Sequence, residues 1–155
     1  MAKEVMRRRA SDNEYLHKDF HGALNCGLNY LHQHFGEEAV RKYLRDFTLT
    51  FYAPLRADLK KRGLVALKEH FEKIYRIEGG EVEFEMSEAQ FTIRVAACPA
   101  VMHIRKLGNP VAPLFYETTR TVNETLCEGT PFAFELTEYE PETGRSVQHF
   151  YRRSL

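Results

Sequence analysis

The sequence predicts an α+β fold, with N-terminal helices packed on an antiparallel sheet built from two β-hairpins separated by a helical pair. Three observations predict it. Apolar residues recur at three- and four-residue steps as far as residue 77, then at every second residue from Val82. The alternating stretches come in two pairs, each joined by a short connector. Strands grouped in this way, rather than alternating with single helices, favour antiparallel pairing with helices over one face.

Residues 1–12 are basic, polar and aperiodic, and read as a flexible arm ahead of a single α+β domain over 13–155. A helix is expected from about Glu14 to Phe35, with Leu16, Phe20, Leu24, Leu28, Leu31 and Phe35 on one stripe. Asp12 or Asn13 caps it and Gly36 stops it. The next helix, about Glu37 to Tyr52, carries Val40, Tyr43, Leu44, Phe47 and Phe51. Glu37 and Glu38 suit the positive end of its dipole, and Pro54 ends it. A short helical turn is expected over Leu55 to Lys61. A further helix runs from Leu64 to Ile77, with Leu64, Leu67, Phe71 and Ile74 inward and Gly79-Gly80 as its stop.

Val82, Phe84 and Met86 alternate with glutamates, and Phe91, Ile93 and Val95 with Gln90, Thr92 and Arg94. One face of this hairpin is apolar and the other solvated. Cys98-Pro99 switches the chain back to helix, because proline is at ease in the first helical position. That helix ends near Gly108, and another runs from about Leu114 to Glu128 with Phe115, Val122 and Leu126 inward. Phe132, Phe134 and Leu136, then Val147, His149 and Tyr151, mark the last two strands, which turn through residues 140–145.

The 155 residues suit one domain, and 43% hydrophobic with 28% charged is ordinary for a globular protein. Lys plus Arg and Asp plus Glu both number 22, so no global field draws nucleic acid or an anionic membrane. No run reaches the roughly 18 apolar residues of a membrane span, and no apolar stretch follows the N-terminal basic residues as a signal peptide requires. Cys26, Cys98 and Cys127 are widely spaced and odd in number, which favours reduced thiols in a cytoplasm over a disulfide framework. P-loop, GxGxxG, GxSxG and HExxH signatures are all missing, which disfavours nucleotide-dependent and α/β-hydrolase chemistry.

Cys98 stands at a strand-to-helix boundary, where helix N–H groups stabilise a thiolate, a nucleophile or metal ligand; the plainer reading is a small apolar residue in the core. His17 and His21 are four apart on one helix, a metal-ligand spacing but without the accompanying glutamate of the zincin pattern. Glu117, Arg120 and Glu124 lie at i, i+3 and i+7: either an exposed ion-pair ladder, or a charged wall on which Arg120 grips a carboxylate bidentately. On the last strand either Gln148 or His149 must point into the helix-covered face, and a polar group there needs a partner or a ligand.

The run Val95-Ala96-Ala97-Cys98-Pro99-Ala100-Val101, then a helix, then Phe115-Tyr116-Glu117 opening a second helix, then a hairpin closing on Gly144-Arg145 and Gln148-His149-Phe150-Tyr151-Arg152, resembles the L-2-amino-thiazoline-4-carboxylic acid hydrolase-like family. That family in turn is similar to 4-vinyl reductase domains and to the small subunits of the TRAPP tethering complex, a ligand-binding α+β fold. The resemblance implies hydrolysis of a C–N bond in a small heterocyclic carboxylate, with Cys98 matching the family's strand-to-helix cysteine. Relatives often carry a second cysteine in the closing hairpin; here Gln148 and His149 occupy that stretch.

Three functions follow. The first is a hydrolase in which Cys98, or a water on a divalent metal, is the nucleophile, His149 or His103 moves the proton, and Arg120 or Arg105 holds the carboxylate, with Glu117, Gln148 and Tyr151 as further substrate contacts. The second is a small-molecule sensor or carrier walled by Phe84, Phe91, Phe115, Phe132 and Phe134 without turnover. The third is a homodimer paired through the first helices.

Overall fold

Helix α1 (Asp19–Phe35) opens the computed structural model, which describes residues 18–154. The expected arm over 1–12, the Glu14 start of the first helix with its Asp12 or Asn13 cap, Leu16 and His17 lie outside the described residues. Gly36, at φ +87°, turns the chain straight into α2 (Glu37–Phe51). Pro54 both ends α2 and occupies the first turn of α3 (Ala53–Arg62), so the expected short turn is a full ten-residue helix. Helix α4 (Leu64–Glu78) follows. The hairpin β1 (Val82–Met86) and β2 (Gln90–Val95), the helices α5 (Pro99–Lys106) and α6 (Glu117–Cys127), and the hairpin β3 (Phe132–Glu140) and β4 (Arg145–Arg152) complete the six helices and four strands of the described residues.

The strands form one antiparallel sheet in the order β1-β2-β4-β3. The two hairpins therefore join through β2 and β4, with Phe91 opposite Phe150, Ile93 opposite Gln148 and Val95 opposite Ser146. One face carries Phe91, Ile93, Val95, Phe132, Phe134 and Phe150 into a core shared with Leu59 of α3, Leu64 and Leu67 of α4 and Leu126 of α6. The other face carries Thr92, Arg94, Val147, His149 and Tyr151, and the glutamates of β1 flank it as the alternation predicts. A second apolar cluster lies among α1, α2 and α5: Leu28, Val40, Leu44, Val101, Ile104 and Phe115.

Between the two clusters α6 buries an unusual set of polar groups, Glu117, Thr121, Asn123 and Thr125. Each finds a partner inside the protein. In β3 the register slips by one residue at Thr137, so Leu136 pairs with Gln148 and Glu138 with Val147. This bulge re-phases the strand, and Leu136 and Tyr139 both face the helices.

The expected apolar stripes of α1 and α2 are only partly internal. Leu28, Val40, Leu44 and Thr48 are buried, whereas Phe20, Phe35, Tyr43, Phe47 and Phe51 stand exposed. The cause is packing: α1 meets α2 and α5 through its middle, and α2 turns Val40, Leu44 and Thr48 inward. Its aromatic edge is left over, with Phe47 and Phe51 stacked on each other at 5.3 Å.

Candidate functional site

Cys98 sits where β2 hands over to α5. Its extended backbone (φ −73°, ψ 120°) makes it the N-cap of α5, and Pro99 fills the first turn. The tip of the last hairpin closes on it, with the Cys98 N–H donating to the Thr143 carbonyl at 2.8 Å. Gly144, at φ +68°, comes so near that a Cβ there would lie 2.5 Å from Cys98 Cβ and 2.9 Å from Val101 Cγ2. Glycine is demanded on both counts.

Cys98 lines a chamber of about 20 Å³ together with Tyr75, Thr118, Tyr139, Ser146 and Gln148. A space of that size, walled also by Val95 and Phe115, holds at most about one water molecule. Gln148 is the polar group that faces the helices. Its carbonyl accepts from Asn123 Nδ2 at 3.1 Å and its amide donates to Ser146 Oγ at 3.2 Å. A slot of about 120 Å³ between α4 and α6 shares Tyr75, Thr118 and Gln148 with the chamber and reaches out to His70.

Burial pushes the Cys98 thiol up. The backbone N–H groups of Val101 and Ala100 pull the other way, as donors at a helix N-terminus should, but burial outweighs them. The activated thiolate expected at this boundary is not what the surroundings favour. Burial, then the neighbouring Cys98, also raises Tyr75, against the pull of Gln148. Tyr139 is pushed up to about 12 by burial, then by Cys98 and Glu140, with Arg105 opposing. Both phenols are therefore protonated at neutral pH.

Beside the chamber lies a larger cleft of about 410 Å³, within the range of small-molecule sites. Arg105, Pro113, Tyr116, Arg120, Leu136 and Tyr139 line it. Arg105 Nη2 donates to the Pro141 carbonyl at 3.2 Å, while its Nε is buried without a hydrogen-bond partner. The Arg120 guanidinium stands 5.3 Å over the Tyr116 ring, and the Tyr116 and Tyr139 rings are 5.8 Å apart. The two arginines expected to hold a carboxylate thus share one cleft.

The remaining expected site residues separate. Glu117 is neither an exposed ladder rung nor an open substrate contact. It is fully buried, and accepts from Arg41 Nε (3.1 Å), Arg120 Nη2 (2.6 Å), Arg120 Nε (3.1 Å) and Thr121 Oγ1 (2.7 Å). A carboxylate offers about four acceptor positions, so Glu117 is saturated. It also fills the Nε–Nη2 edge of Arg120, the edge that a bidentate substrate would need. The helical step of four that brings Thr121 under Glu117, and α2 packing alongside, explain the burial.

His149 lies on the outer face of β4, opposite in direction to Gln148. Its Nδ1 is 3.0 Å from Thr92 Oγ1 and its ring stacks on Tyr151. His149 and Tyr151 are therefore parted from Cys98 by the sheet itself, because successive residues of a strand point to opposite faces. His103 projects from α5 toward α1, with Nε2 3.8 Å from Asp19 Oδ1 and its ring 6.4 Å from that of His21. It lines a different hollow from Cys98. His21 is held by Glu78 at 3.2 Å. Among the described residues no three of His, Cys, Asp and Glu are grouped so as to hold a metal ion.

Two residues of the site escape sequence reading. Tyr75 lies four residues after Phe71 on the inward stripe of α4 and was within reach of helical periodicity. Tyr139 was not: strict alternation from Phe132 would turn it outward, and only the bulge at Thr137 brings it in. No helix of the described residues is long and apolar enough to cross a membrane. The chain matches no family model, no curated protein and no solved structure.

Proposed function

We propose that the protein binds a small carboxylate-bearing molecule in the cleft between α5, α6 and β3, with Arg105 as the anchor. One observation carries this reading. Arg105 Nε is buried with no hydrogen-bond acceptor at the edge of a cleft that Tyr116, Tyr139 and Leu136 also line. An unsatisfied donor of this kind costs about 1–3 kcal/mol, which an arriving carboxylate oxygen returns. Arg120, spent on Glu117 along one edge, adds positive charge rather than a full bidentate grip. The resemblance to the L-2-amino-thiazoline-4-carboxylic acid hydrolase-like family supports a flat heterocyclic carboxylate as the ligand class. Thermal-shift and calorimetric titration with 2-amino-thiazoline-4-carboxylate and its amide test the reading. The acid is expected to bind and the amide to fail, and Arg105→Gln to weaken the acid by about 10- to 100-fold, the loss of one charge-assisted contact. Equal binding of acid and amide refutes it.

Hydrolysis of such a ligand is the second reading, and one observation favours it: the Cys98 chamber adjoins the cleft, with Tyr139 on the wall of both. A water added across the ring C–N bond would open the heterocycle, with the protonated Tyr139 as a hydrogen-bond donor at hand. Turnover that Cys98→Ser abolishes while leaving binding intact supports an enzyme; binding without turnover in the unaltered protein supports a carrier. Free cysteines at 26, 98 and 127 fit a reducing cytoplasm. Pairing of two copies would use the exposed Tyr43, Phe47 and Phe51 edge of α2, and light scattering decides it.

A further inference from the structure

We infer that the arginine cleft and the thiol chamber are two halves of one ligand site, with Tyr139 as the movable partition that sets which ligands span it. The inference rests on the carboxylate reading above and extends it to the far end of the ligand. Tyr139 is the one residue that lines both spaces. It stands in the cleft beside Tyr116 and Arg105, and in the chamber it faces Cys98 and Ser146, its register partner on β4.

Side-chain packing leaves the Tyr139 ring less enclosed than the thiol it covers. Tyr139 follows the bulge at Thr137 and is only half-buried, so its ring turns into the cleft without unpacking the phenylalanine core of the sheet. Cys98 has no such freedom. Gly144 lies against its Cβ, and its N–H is held by Thr143, so the thiol stays in place when the partition moves. The opened chamber would offer Ser146 Oγ, the Gln148 amide and the thiol. The matching ligand is bifunctional: a carboxylate for Arg105, and a flat tail whose far heteroatoms hydrogen-bond in the chamber. A simple fatty acid lacks those heteroatoms and fits only the outer half.

Thiol labelling of the whole protein reads the partition directly. In a Cys26→Ser background the exposed competitor is gone, and Cys127 is almost wholly buried. Anionic sulfonatoethyl methanethiosulfonate and cationic trimethylammonioethyl methanethiosulfonate each join their thio group to the Cys98 sulfur with loss of methanesulfinate. Mass spectrometry follows the rate. The anionic reagent is expected to label Cys98 about ten-fold faster at low salt, a modest case of electrostatic steering, and Arg105→Gln with Arg120→Gln to remove the preference. Tyr139→Ala is expected to speed both reagents about ten-fold, equivalent to roughly 1.4 kcal/mol of barrier, with Tyr139→Leu as a better-packed second variant and Tyr139→Phe close to the parent. Saturating 2-amino-thiazoline-4-carboxylate should slow labelling of the unaltered protein.

The outcomes separate. If Tyr139→Ala and Tyr139→Leu both leave the rate unchanged, the thiol is reached by another route, such as the slot between α4 and α6, and the partition is wrong even where the carboxylate still binds Arg105. If Tyr139→Ala accelerates labelling but the charge preference and the protection are missing, the arginine reading falls, and the composite site falls with it.

Discussion

Glu117→Gln keeps the shape of the side chain and removes its charge, and the surroundings make the consequence calculable. Four donors converge on two oxygens that no solvent reaches: Arg41 Nε and Arg120 Nη2 on Oε1, Arg120 Nε and Thr121 Oγ1 on Oε2. An amide offers one oxygen and one NH2, so one pair of donors keeps its acceptor and the other pair faces N–H groups. Charge-assisted bonds contribute about 1.5–3 kcal/mol each, and removing one partner of a buried ion pair costs about 3–5 kcal/mol. Arg41 and Arg120 are half-exposed and recover some hydration, which lowers the upper end. The expected loss is roughly 2–4 kcal/mol, or about 5–15 °C in Tm for a chain of this size. Urea denaturation followed by circular dichroism measures it, and Arg41→Met in a double-mutant cycle should be markedly non-additive with Glu117→Gln. A loss below about 0.5 kcal/mol, the scale of a neutral surface change, would falsify the view that this carboxylate is a structural hub between α2 and α6.

Gly144→Ala should cost about 2–4 kcal/mol, since it combines left-handed backbone strain with a methyl driven against Cys98 Cβ and Val101; thermal unfolding checks this, and near-wild-type stability would show that the hairpin tip yields easily. Asn25→Ala removes the amide that donates to the Pro110 carbonyl at 2.9 Å and accepts from the Ala112 N–H at 2.7 Å, leaving the latter buried and unpaired. A loss of about 2 kcal/mol is expected in urea titration, with weaker ligand binding because Ala112 belongs to the cleft wall. Burial, then Lys73, lowers the pKa of His70, so between the folded value and the unfolded value near about 6.5 the unfolded chain binds more protons. Stability is therefore fully present above that pH and declines below it, and the difference curve against His70→Phe, from urea midpoints across the range, should isolate this slope; a flat difference curve contradicts it.

Much of the architecture could be read from residue order alone, because each element declares its own period and its own stop. The change of step at Val82, the Cys98-Pro99 switch and the glycines at 36, 79 and 129 mark boundaries that the structure reproduces within a few residues. What could not be read is which side of an amphipathic element finds a partner. Phe47 and Leu44 look equally internal on a helical wheel, yet only the packing of α1 and α6 on α2 decides that Leu44 is buried and Phe47 is not. The same holds for chemistry. Cys98 and the two arginines could be singled out by residue type and local position, and the structure places Arg105 and Arg120 on one cleft with Cys98 in the space beside it. His149 was misleading because alternation says only that Gln148 or His149 faces in, not which. Glu117 was misread since its partner Arg41 is 76 residues distant, and Tyr139 because a one-residue bulge leaves no mark in composition.

The pairing of β2 with β4 sets the timing of folding. The α3–α4 pair and the first hairpin depend on near neighbours and can form as they emerge from the ribosome, yet α2 waits for α6, and β2 must wait some sixty residues for the strand that covers its open edge, as Phe91 does for Phe150. Until then a row of unsatisfied backbone groups and the phenylalanines behind it are open to the wrong partners. Trimming the chain back past Ser146 would therefore unzip the sheet at its middle, and the truncated product should aggregate through β2 while keeping most of its helical signal.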